Sequence, residues 1–257
     1  MGDVSNRIRI AAAGDIHASD ANRVRIEQAF ARVEADADIV LLAGDITTHG
    51  EPAEAKVVAD ACARLDIPVV AVLGNHDHHL GKGDAVAQAL RDGRIVVLER
   101  DYTECEVRDV QVGIVGTKGF VGGFPGSTLP DFGERLLRDI YKETTDEMCA
   151  IERGLQEIAP CDLRIVLLHY SPIVETLEGE PVGIHAFLGS ARLAIPIAEY
   201  PPDLVVHGHA HAGSFEGRIG DVPVYNVAVH VTGRDFFVFD LEVAARGRSE
   251  VEVESGA

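Results

Sequence analysis

Five polar clusters follow short apolar runs along the chain, and their side chains are carboxylates, imidazoles and one amide. The clusters are Gly14-Asp15-Ile16-His17, Gly44-Asp45, Gly74-Asn75-His76-Asp77, His169 and His207-Gly208-His209-Ala210-His211. Imidazole together with carboxylate suits zinc, iron, manganese, cobalt or nickel as the bound cation. Several carboxylates and histidines are costly to bury in one pocket without a cation. The clusters therefore predict a metal site.

The spacing within the clusters supports this interpretation. Asp15 and His17 are two residues apart, as are His209 and His211. On an extended segment both members of such a pair point the same way. The carboxylate of Asp45 could bridge two cations. A glycine precedes the key residue in four of the five clusters, where it lets the backbone turn sharply and approach a ligand closely.

Each cluster alone has a simpler explanation. Asp15 could cap a helix, and His169 could be a hydrogen-bonded residue of the core. Short motifs of this kind also occur by chance. The presence of all five clusters, each at the end of an apolar run, favours the metal site.

The apolar runs predict the strands that would position these side chains. The predicted strands are Arg7–Ala13, Asp38–Ala43, Pro68–Leu73, Arg94–Leu98, Val110–Val115, Leu163–Leu168 and Asp203–Val206. Most are nearly continuous in Val, Ile and Leu, which is typical of strands buried on both faces. In open α/β sheets, ligand sites form beyond the carboxyl ends of the strands. We therefore expect the five clusters to lie together.

Helical patterns separate these strands, and short strand patterns close the chain. The predicted helices are Asn22–Ala35 with Val24, Phe30 and Val33 on one side, Pro52–Leu65, one or two helices within Phe132–Ile158, and a helix capped by Ser190 that runs to Tyr200. The last strand patterns are Gly213–Ile219, Val222–Val227 and Asp235–Val243, which we interpret as a β-meander. We expect a single domain over residues 7–244 and a polar tail over residues 245–257.

Composition narrows the classes of partner. The 257 residues carry a formal net charge of -19, which disfavours binding to a nucleic-acid polymer. No apolar run reaches the roughly 18 residues of a membrane span, so we expect no membrane partner. The four cysteines are scattered and no secretory pattern is visible. We therefore expect reduced thiols and a cytoplasmic protein. The oligomeric state stays open.

Together the motifs D-x-H, G-D, G-N-H-D, H and G-H-x-H resemble those of the calcineurin-like metallophosphoesterase superfamily. The resemblance spans residues 14 to 211. It implies an α/β fold, a four-layer αββα sandwich with the metal site at the carboxyl ends of the strands. It also implies two transition-metal ions, divalent or trivalent, with manganese, iron and zinc as candidates. One would be held by Asp15, His17, Asp45 and His211, and the other by Asp45, Asn75, His169 and His209.

Details of the motifs narrow the resemblance further. The segment Gly44–Gly50 lacks the arginine that phosphoprotein phosphatases carry there, and Asp77 stands where those enzymes have glutamate. The chain is more similar to the bacterial class III cyclic-nucleotide phosphodiesterases and related predicted phosphoesterases. This implies hydrolysis of cyclic nucleotides or similar small diesters. The alternatives are a phosphomonoesterase and a catalytically silent scaffold.

Two cations about 3.5–4 Å apart can hold phosphate oxygens and a bridging water, and they supply hydroxide at neutral pH. His76 would then be the general acid for the leaving oxygen, and Asp77 would orient it. Two interpretations of the segment Gly119–Gly126 stay open: a mobile flap in which Phe120 or Phe124 stacks on the substrate, or a surface turn. The role of His230 also stays open.

Overall fold

The computed structural model describes residues 6–243. The strands are β1 (Asn6–Ala13), β2 (Ile39–Ala43), β3 (Val69–Val72), β4 (Val96–Val97), β5 (Asp101–Val107), β6 (Val110–Gly116), β7 (Gly123–Phe124), β8 (Ser127–Thr128), β9 (Leu163–Leu167), β10 (Leu204–His207), β11 (Glu216–Ile219), β12 (Val222–Asn226) and β13 (Phe237–Val243). The α-helices are α1 (Arg23–Asp36), α2 (Pro52–Cys62), α3 (Gly83–Asp92), α4 (Arg135–Glu157), α5 (His185–Leu188), α6 (Ala194–Glu199) and α7 (Val229–Thr232). Single 3₁₀ turns cover His76–His78, Glu175–Leu177, Val182–Ile184 and Ala191–Leu193.

Two sheets with parallel centres form the middle of the molecule. The first has the order β13-β1-β2-β3-β4, in which β1 to β4 are parallel and β13 is antiparallel to β1. The second has the order β11-β12-β10-β9-β6-β5, with a parallel centre and antiparallel edges β11 and β5. A separate hairpin joins β7 and β8.

The apolar runs are continuous because each central strand is buried on both faces. In β2, Ile39 and Leu41 pack between the sheets, whereas Val40 and Leu42 pack on the helical side with α1, α2 and α3. The outer face of the second sheet is covered by α4 and α6, for example through Ile151. The layers are therefore helices, sheet, sheet and helices, and the predicted αββα sandwich is confirmed.

The helices largely follow their predicted positions. The buried face of α1 is formed by Ile26, Phe30 and Val33, whereas Val24 is 64% exposed. The prediction that placed Val24 on that face is wrong, because Ile26 rather than Val24 has the i, i+4, i+7 spacing with Phe30 and Val33. Pro52 opens α2, where its missing N–H removes no helical hydrogen bond.

Several elements differ from the prediction. The helix α3 and the edge strand β5 were not predicted, and β5 is exposed along most of its length. The predicted β-meander is wrong: β11 and β12 form a hairpin in the second sheet, but β13 pairs with β1 in the first. The alternation of apolar residues in β13 identifies a strand with one buried face, and it carries no information about which sheet provides the partner.

Four further expectations concern the tail, the domain bounds, the cysteines and membrane spans. The predicted tail, residues 245–257, lies outside the described residues, and the single domain over residues 7–244 stays a prediction. All four cysteines are unpaired. None of the helices between residues 6 and 243 is both long enough and apolar enough to cross a bilayer.

Replacing Ile114 by alanine should test the packing between the sheets. Ile114 of β6 is fully buried in the layer between the sheets, so Ile114→Ala should lower the free energy of unfolding by about 2–5 kcal/mol. Val24→Ala on the exposed face of α1 should change it by less than about 0.5 kcal/mol. Equilibrium urea unfolding measures both, and equal effects of the two substitutions would contradict the assigned layers.

Candidate metal centre

The five polar clusters lie at the carboxyl ends of five strands that belong to both sheets. Asp15, Asp45 and Asn75 follow β1, β2 and β3 of the first sheet. His169 and His209 follow β9 and β10 of the second. The five clusters therefore meet where the carboxyl ends of the strands of both sheets lie side by side.

The side chains form two groups that share one carboxylate. In each group the possible ligand atoms lie within 4.8 Å of one another. The first group is Asp15, His17, Asp45 and His211, and the second is Asp45, His169 and His209. Asn75 adjoins the second group, because its Oδ1 is 3.0 Å from His169 Nε2. The structure thus brings together the residues that the family resemblance implied as ligands, and their binding of metal stays a prediction.

Backbone carbonyls orient two of the imidazoles. His169 Nδ1 donates a hydrogen bond of 2.9 Å to the carbonyl of Ala43. In the neutral ring the lone pair is then on Nε2, which faces the oxygens of Asn75 and Asp45. His209 Nε2 donates a hydrogen bond to the carbonyl of Phe187 at 3.2 Å, which leaves the lone pair of Nδ1 available to a metal ion. Hydrogen bonds of this kind fix the tautomer of metal-binding histidines in proteins.

The two carboxylates of the centre are buried without a permanent counter-charge. Asp15 and Asp45 are 0% and 1% exposed. Within residues 6–243, the ion-pair partners of Asp15 and Asp45 inside 4.0 Å are imidazoles and include no lysine or arginine. Burial of two carboxylates in this way is unfavourable unless a cation compensates. The donor set therefore fits two cations with nitrogen and oxygen ligands.

The protonation states of Asp15 and His209 also suit metal binding. Burial by itself raises the pKa of Asp15, but the hydrogen bond from His211 and the charge of His169 outweigh it and lower that pKa to about 2. Burial lowers the pKa of His209 to about 3, so its ring is neutral at pH 7. The ionised Asp15 and the neutral His209 are thus in the protonation states that bind a cation.

His207 belongs to the support of the centre. Its Nδ1 donates to the carbonyl of Gly208 at 2.8 Å, and its Nε2 is 2.9 Å from Thr176 Oγ1. Burial lowers the pKa of His207 to about 4. Since both ring nitrogens are engaged, His207 holds the fifth cluster in place instead of offering a ligand.

The backbone of the centre is not extended, which corrects the argument from spacing. The φ angles of Asp15, His17, Asp45 and His209 are 58°, 48°, 48° and 71°. This left-handed conformation costs roughly 1–2 kcal/mol per non-glycine residue. Backbone strain of this kind concentrates at functional sites. The paired side chains converge through these turns and not through the alternation of a strand.

The glycines of the motifs are required by close packing against the ligands. A Cβ at Gly44 would lie 2.5 Å from Nδ1 of His169. A Cβ at Gly74 or Gly208 would overlap the carboxylate of Asp45 or Asp15, respectively. The prediction that these glycines allow a close approach therefore agrees with the structure.

His76 faces the centre, but Asp77 does not orient it. The Nδ1 of His76 donates to the carbonyl of Thr48 at 2.8 Å, and its Nε2 lies 4.0 Å from Oδ2 of Asp45. The buried carboxylate of Asp77 accepts hydrogen bonds from the backbone of Gly74 and from Thr47. The His76 ring is therefore oriented by the carbonyl of Thr48 and not, as expected, by Asp77. The carboxylate of Asp77 instead links the second cluster to the third by hydrogen bonds.

Two residues near the centre were not assigned a role from the sequence. The ring of His230 on α7 stacks on that of His211, with centroids 4.3 Å apart. Lys118 follows the carboxyl end of β6, and its carbonyl accepts hydrogen bonds from the backbone N–H groups of His169 and Tyr170. Its place at a strand end of the second sheet is the sequence feature that could have identified it.

The segment Gly119–Gly126 is fixed to its surroundings. Phe124 is buried with Leu177 and Leu188, and the N–H of Gly123 donates to the carbonyl of Gly189 at 2.9 Å. The prediction that Phe124 stacks on a substrate is therefore wrong, because its ring is buried in a small apolar core. Phe120 contacts the ring of Tyr170 instead.

Comparison with known proteins identifies the family. The sequence profile of the family of calcineurin-like phosphoesterases matches residues 8–213, so the chain belongs to this family. It is accordingly a metallophosphoesterase, an enzyme that hydrolyses phosphoric esters. No curated protein matches the chain.

Solved structures share the fold at low sequence identity. The phosphopantetheinyl hydrolase of Mycobacterium tuberculosis is similar with a TM-score of 0.69 and 14% identity, over 93% of this chain and 97% of that one. A putative 5'-nucleotidase from Staphylococcus aureus has a TM-score of 0.56 and 17% identity, over 86% of this chain and 48% of that one. GAP50, described as the anchor in the inner membrane complex of Plasmodium, has a TM-score of 0.56 and 14% identity, over 87% and 72%.

Removal of the shared carboxylate should disrupt metal binding. The protein reconstituted with manganese should hold about two ions per chain, the number that two ligand groups can bind. Asp45→Ala should lose both ions or leave at most one weakly bound, because Asp45 belongs to both groups. Asp92→Ala, on the exposed end of α3, should keep both. Elemental analysis after gel filtration measures the content. Full occupancy in Asp45→Ala would contradict the assignment.

Proposed function

We propose that this metallophosphoesterase hydrolyses small phosphate diesters at a pair of transition-metal ions, with manganese, iron and zinc as candidates. The observation that carries the proposal is the burial of Asp15 and Asp45 among imidazoles, in two groups that share Asp45. The ions would be held by Asp15, His17, Asp45 and His211 on one side and by Asp45, Asn75, His169 and His209 on the other.

The chemistry that two bound cations supply is hydroxide for attack on phosphorus and neutralisation of charge on the phosphoryl oxygens. The protein supplies the geometry. The glycines at 44, 74 and 208 bring the backbone against the ligand side chains. The carbonyls of Ala43 and Phe187 hold two imidazoles in the tautomer that points a lone pair into the centre.

His76 is the group that we assign to protonation of the leaving oxygen. Its ring is 41% exposed and its Nε2 faces the centre, while the carbonyl of Thr48 accepts a hydrogen bond from Nδ1. When both nitrogens are protonated, that carbonyl stabilises the ring and Nε2–H is free to donate to a substrate oxygen. The N–H of His76 also donates to Asp45 at 2.8 Å, which fixes its distance from the centre.

The charge of the centre favours a diester over a monoester. Within the described residues, no lysine or arginine nitrogen lies within 4.0 Å of Asp15 or Asp45. A diester brings one negative charge, which two cations can balance, whereas a monoester brings a second. Cyclic nucleotides and similar small diesters are therefore the proposed substrates. A catalytically silent scaffold is the remote alternative, and the presence of all the proposed ligands together with His76 argues against it.

His76→Ala should slow hydrolysis without removing metal. A general acid contributes roughly 10²- to 10⁴-fold to the rate. The leaving group of cyclic AMP is a ribose alkoxide, which needs a proton, so kcat for cyclic AMP should fall by that amount. The loss should be much smaller for bis-p-nitrophenyl phosphate, because p-nitrophenolate needs little protonation. Metal content should be unchanged, and the exposed His49→Ala provides the matched control. An equal loss for both substrates would argue against the acid role.

The substrate class is tested by comparing two nitrophenyl esters. With the manganese enzyme, kcat/KM for bis-p-nitrophenyl phosphate should exceed that for p-nitrophenyl phosphate. If the monoester is instead preferred by tenfold or more, which corresponds to about 1.4 kcal/mol of transition-state stabilisation, the enzyme is a phosphomonoesterase. Absence of hydrolysis of both esters by the metal-loaded protein would contradict the enzymatic proposal itself.

A further inference from the structure

A cavity of about 280 Å³ is lined in part by residues that adjoin the third cluster and His169. Its wall includes Leu73, which precedes the third motif, and His78, which belongs to the same turn as His76. Leu98, Thr117 and Lys118 contribute further parts of the wall. The volume is close to the lower end of the roughly 300–1,000 Å³ that is usual for small-molecule sites. It is suited to a small organic group.

Lys118 is a cation of this wall that has no carboxylate partner. Its Nζ donates to the carbonyl of Gly119 at 3.2 Å and lies 4.3 Å from the ring centre of Phe120. Within residues 6–243, its Nζ makes no ion pair inside 4.0 Å. A partly buried ammonium is unfavourable unless an anion compensates, and burial lowers the pKa of Lys118 accordingly.

The carboxylates of the wall are already engaged. Glu143 and Glu147 both bind Arg100, and Glu147 also accepts hydrogen bonds from Thr117 and from the N–H of Gly119. Glu99 pairs with Arg91 on the surface. The ammonium of Lys118 is therefore available to a bound ligand, while the acidic side chains are held by other partners.

The position of Lys118 connects the cavity with the centre. Its carbonyl accepts hydrogen bonds from the N–H groups of His169 and Tyr170, at 3.1 and 3.0 Å. Its Nζ lies 5.2 Å from the ring centre of Tyr170, and that ring is 4.4 Å from the ring of His209. One aromatic ring thus separates the ammonium from the second ligand group.

We propose that this cavity binds the organic group of the substrate and that this group carries an anionic substituent, such as a carboxylate, which pairs with Lys118. The inference rests on the proposed hydrolysis of small diesters, and among them it selects diesters with a further anionic substituent over cyclic nucleotides, which carry none. The scissile phosphoryl group would occupy the metal centre, and the substituent would pair directly with Lys118, which within residues 6–243 has no carboxylate partner inside 4.0 Å. The leucines at 73 and 98 would contact the carbon skeleton between the two charges.

Two matched diesters test the proposal: propyl p-nitrophenyl phosphate and its 2-carboxyethyl analogue, which share the leaving group. The manganese enzyme should show a KM about 10- to 100-fold lower for the carboxylate, which is the range expected for a charge-assisted hydrogen bond. Lys118→Met should remove this preference by raising KM for the carboxylate ester, with kcat and the propyl ester little changed. Lys56→Met, on the exposed face of α2, should keep it.

Binding without turnover separates this inference from the proposed function. Calorimetry of the manganese protein should show that 2-carboxyethylphosphonate binds about tenfold or more tightly than propylphosphonate, and only while Lys118 is present. If this binding difference is found but neither ester is hydrolysed, the hydrolytic proposal fails and the anionic subsite stands.

Three results would overturn the subsite. The first is that the unmodified protein treats the two esters alike, which needs no variant and does not depend on how variants fold. The second is that Lys118→Met slows both esters equally while keeping its metal and its circular-dichroism spectrum. The third is that Lys118→Met impairs p-nitrophenyl phosphate alone, since Lys118 would then bind the scissile phosphoryl group.

Discussion

The burial of two carboxylates at the seam between the sheets is the constraint on which the rest of the site depends. Asp15 and Asp45 lie at the ends of adjacent parallel strands, and their surroundings provide imidazoles in place of lysine or arginine. Electrostatics alone would oppose such an arrangement. Much of the local structure serves to hold it, including the hydrogen bonds to Asp15 from the backbone N–H and imidazole groups of the fifth cluster.

The same constraint explains why the local backbone departs from regular structure. A strand that continued past Asp15 or Asp45 would carry successive side chains to opposite faces of the sheet. The left-handed residues turn the chain immediately after the strand, and the adjacent glycines leave room for the side chains that fold back. The carboxylate of Asp77 then links two of these turns, because it accepts hydrogen bonds from the N–H groups of Thr47 and Gly74. The strain is thus retained by a rigid framework of hydrogen bonds.

The sequence predicts the central strands and the polar side chains that follow them, because both depend on patterns within single segments, whereas the four layers were implied by the family resemblance. Continuous apolar runs report burial on both faces, and polar residues directly after them mark the strand ends. Relations between distant segments leave no such pattern. The pairing of β13 with β1, the stacking of His230 on His211 and the contact of Lys118 with Tyr170 each join residues from separate segments. The orienting role of the Thr48 carbonyl was also invisible, because every residue carries a backbone carbonyl.

The placement of the ligands on both sheets has a mechanical consequence. Residues 15, 45 and 75 belong to one half of the sandwich, and residues 169, 209 and 211 belong to the other. A cation that coordinates both halves is a cross-link between segments about 200 residues apart in the chain, and it acts only on the folded state. By mass action, each tenfold increase in free metal above the dissociation constant adds about 1.4 kcal/mol to the free energy of unfolding. Chelation would therefore remove this cross-link and lower the free energy of unfolding of the whole sandwich.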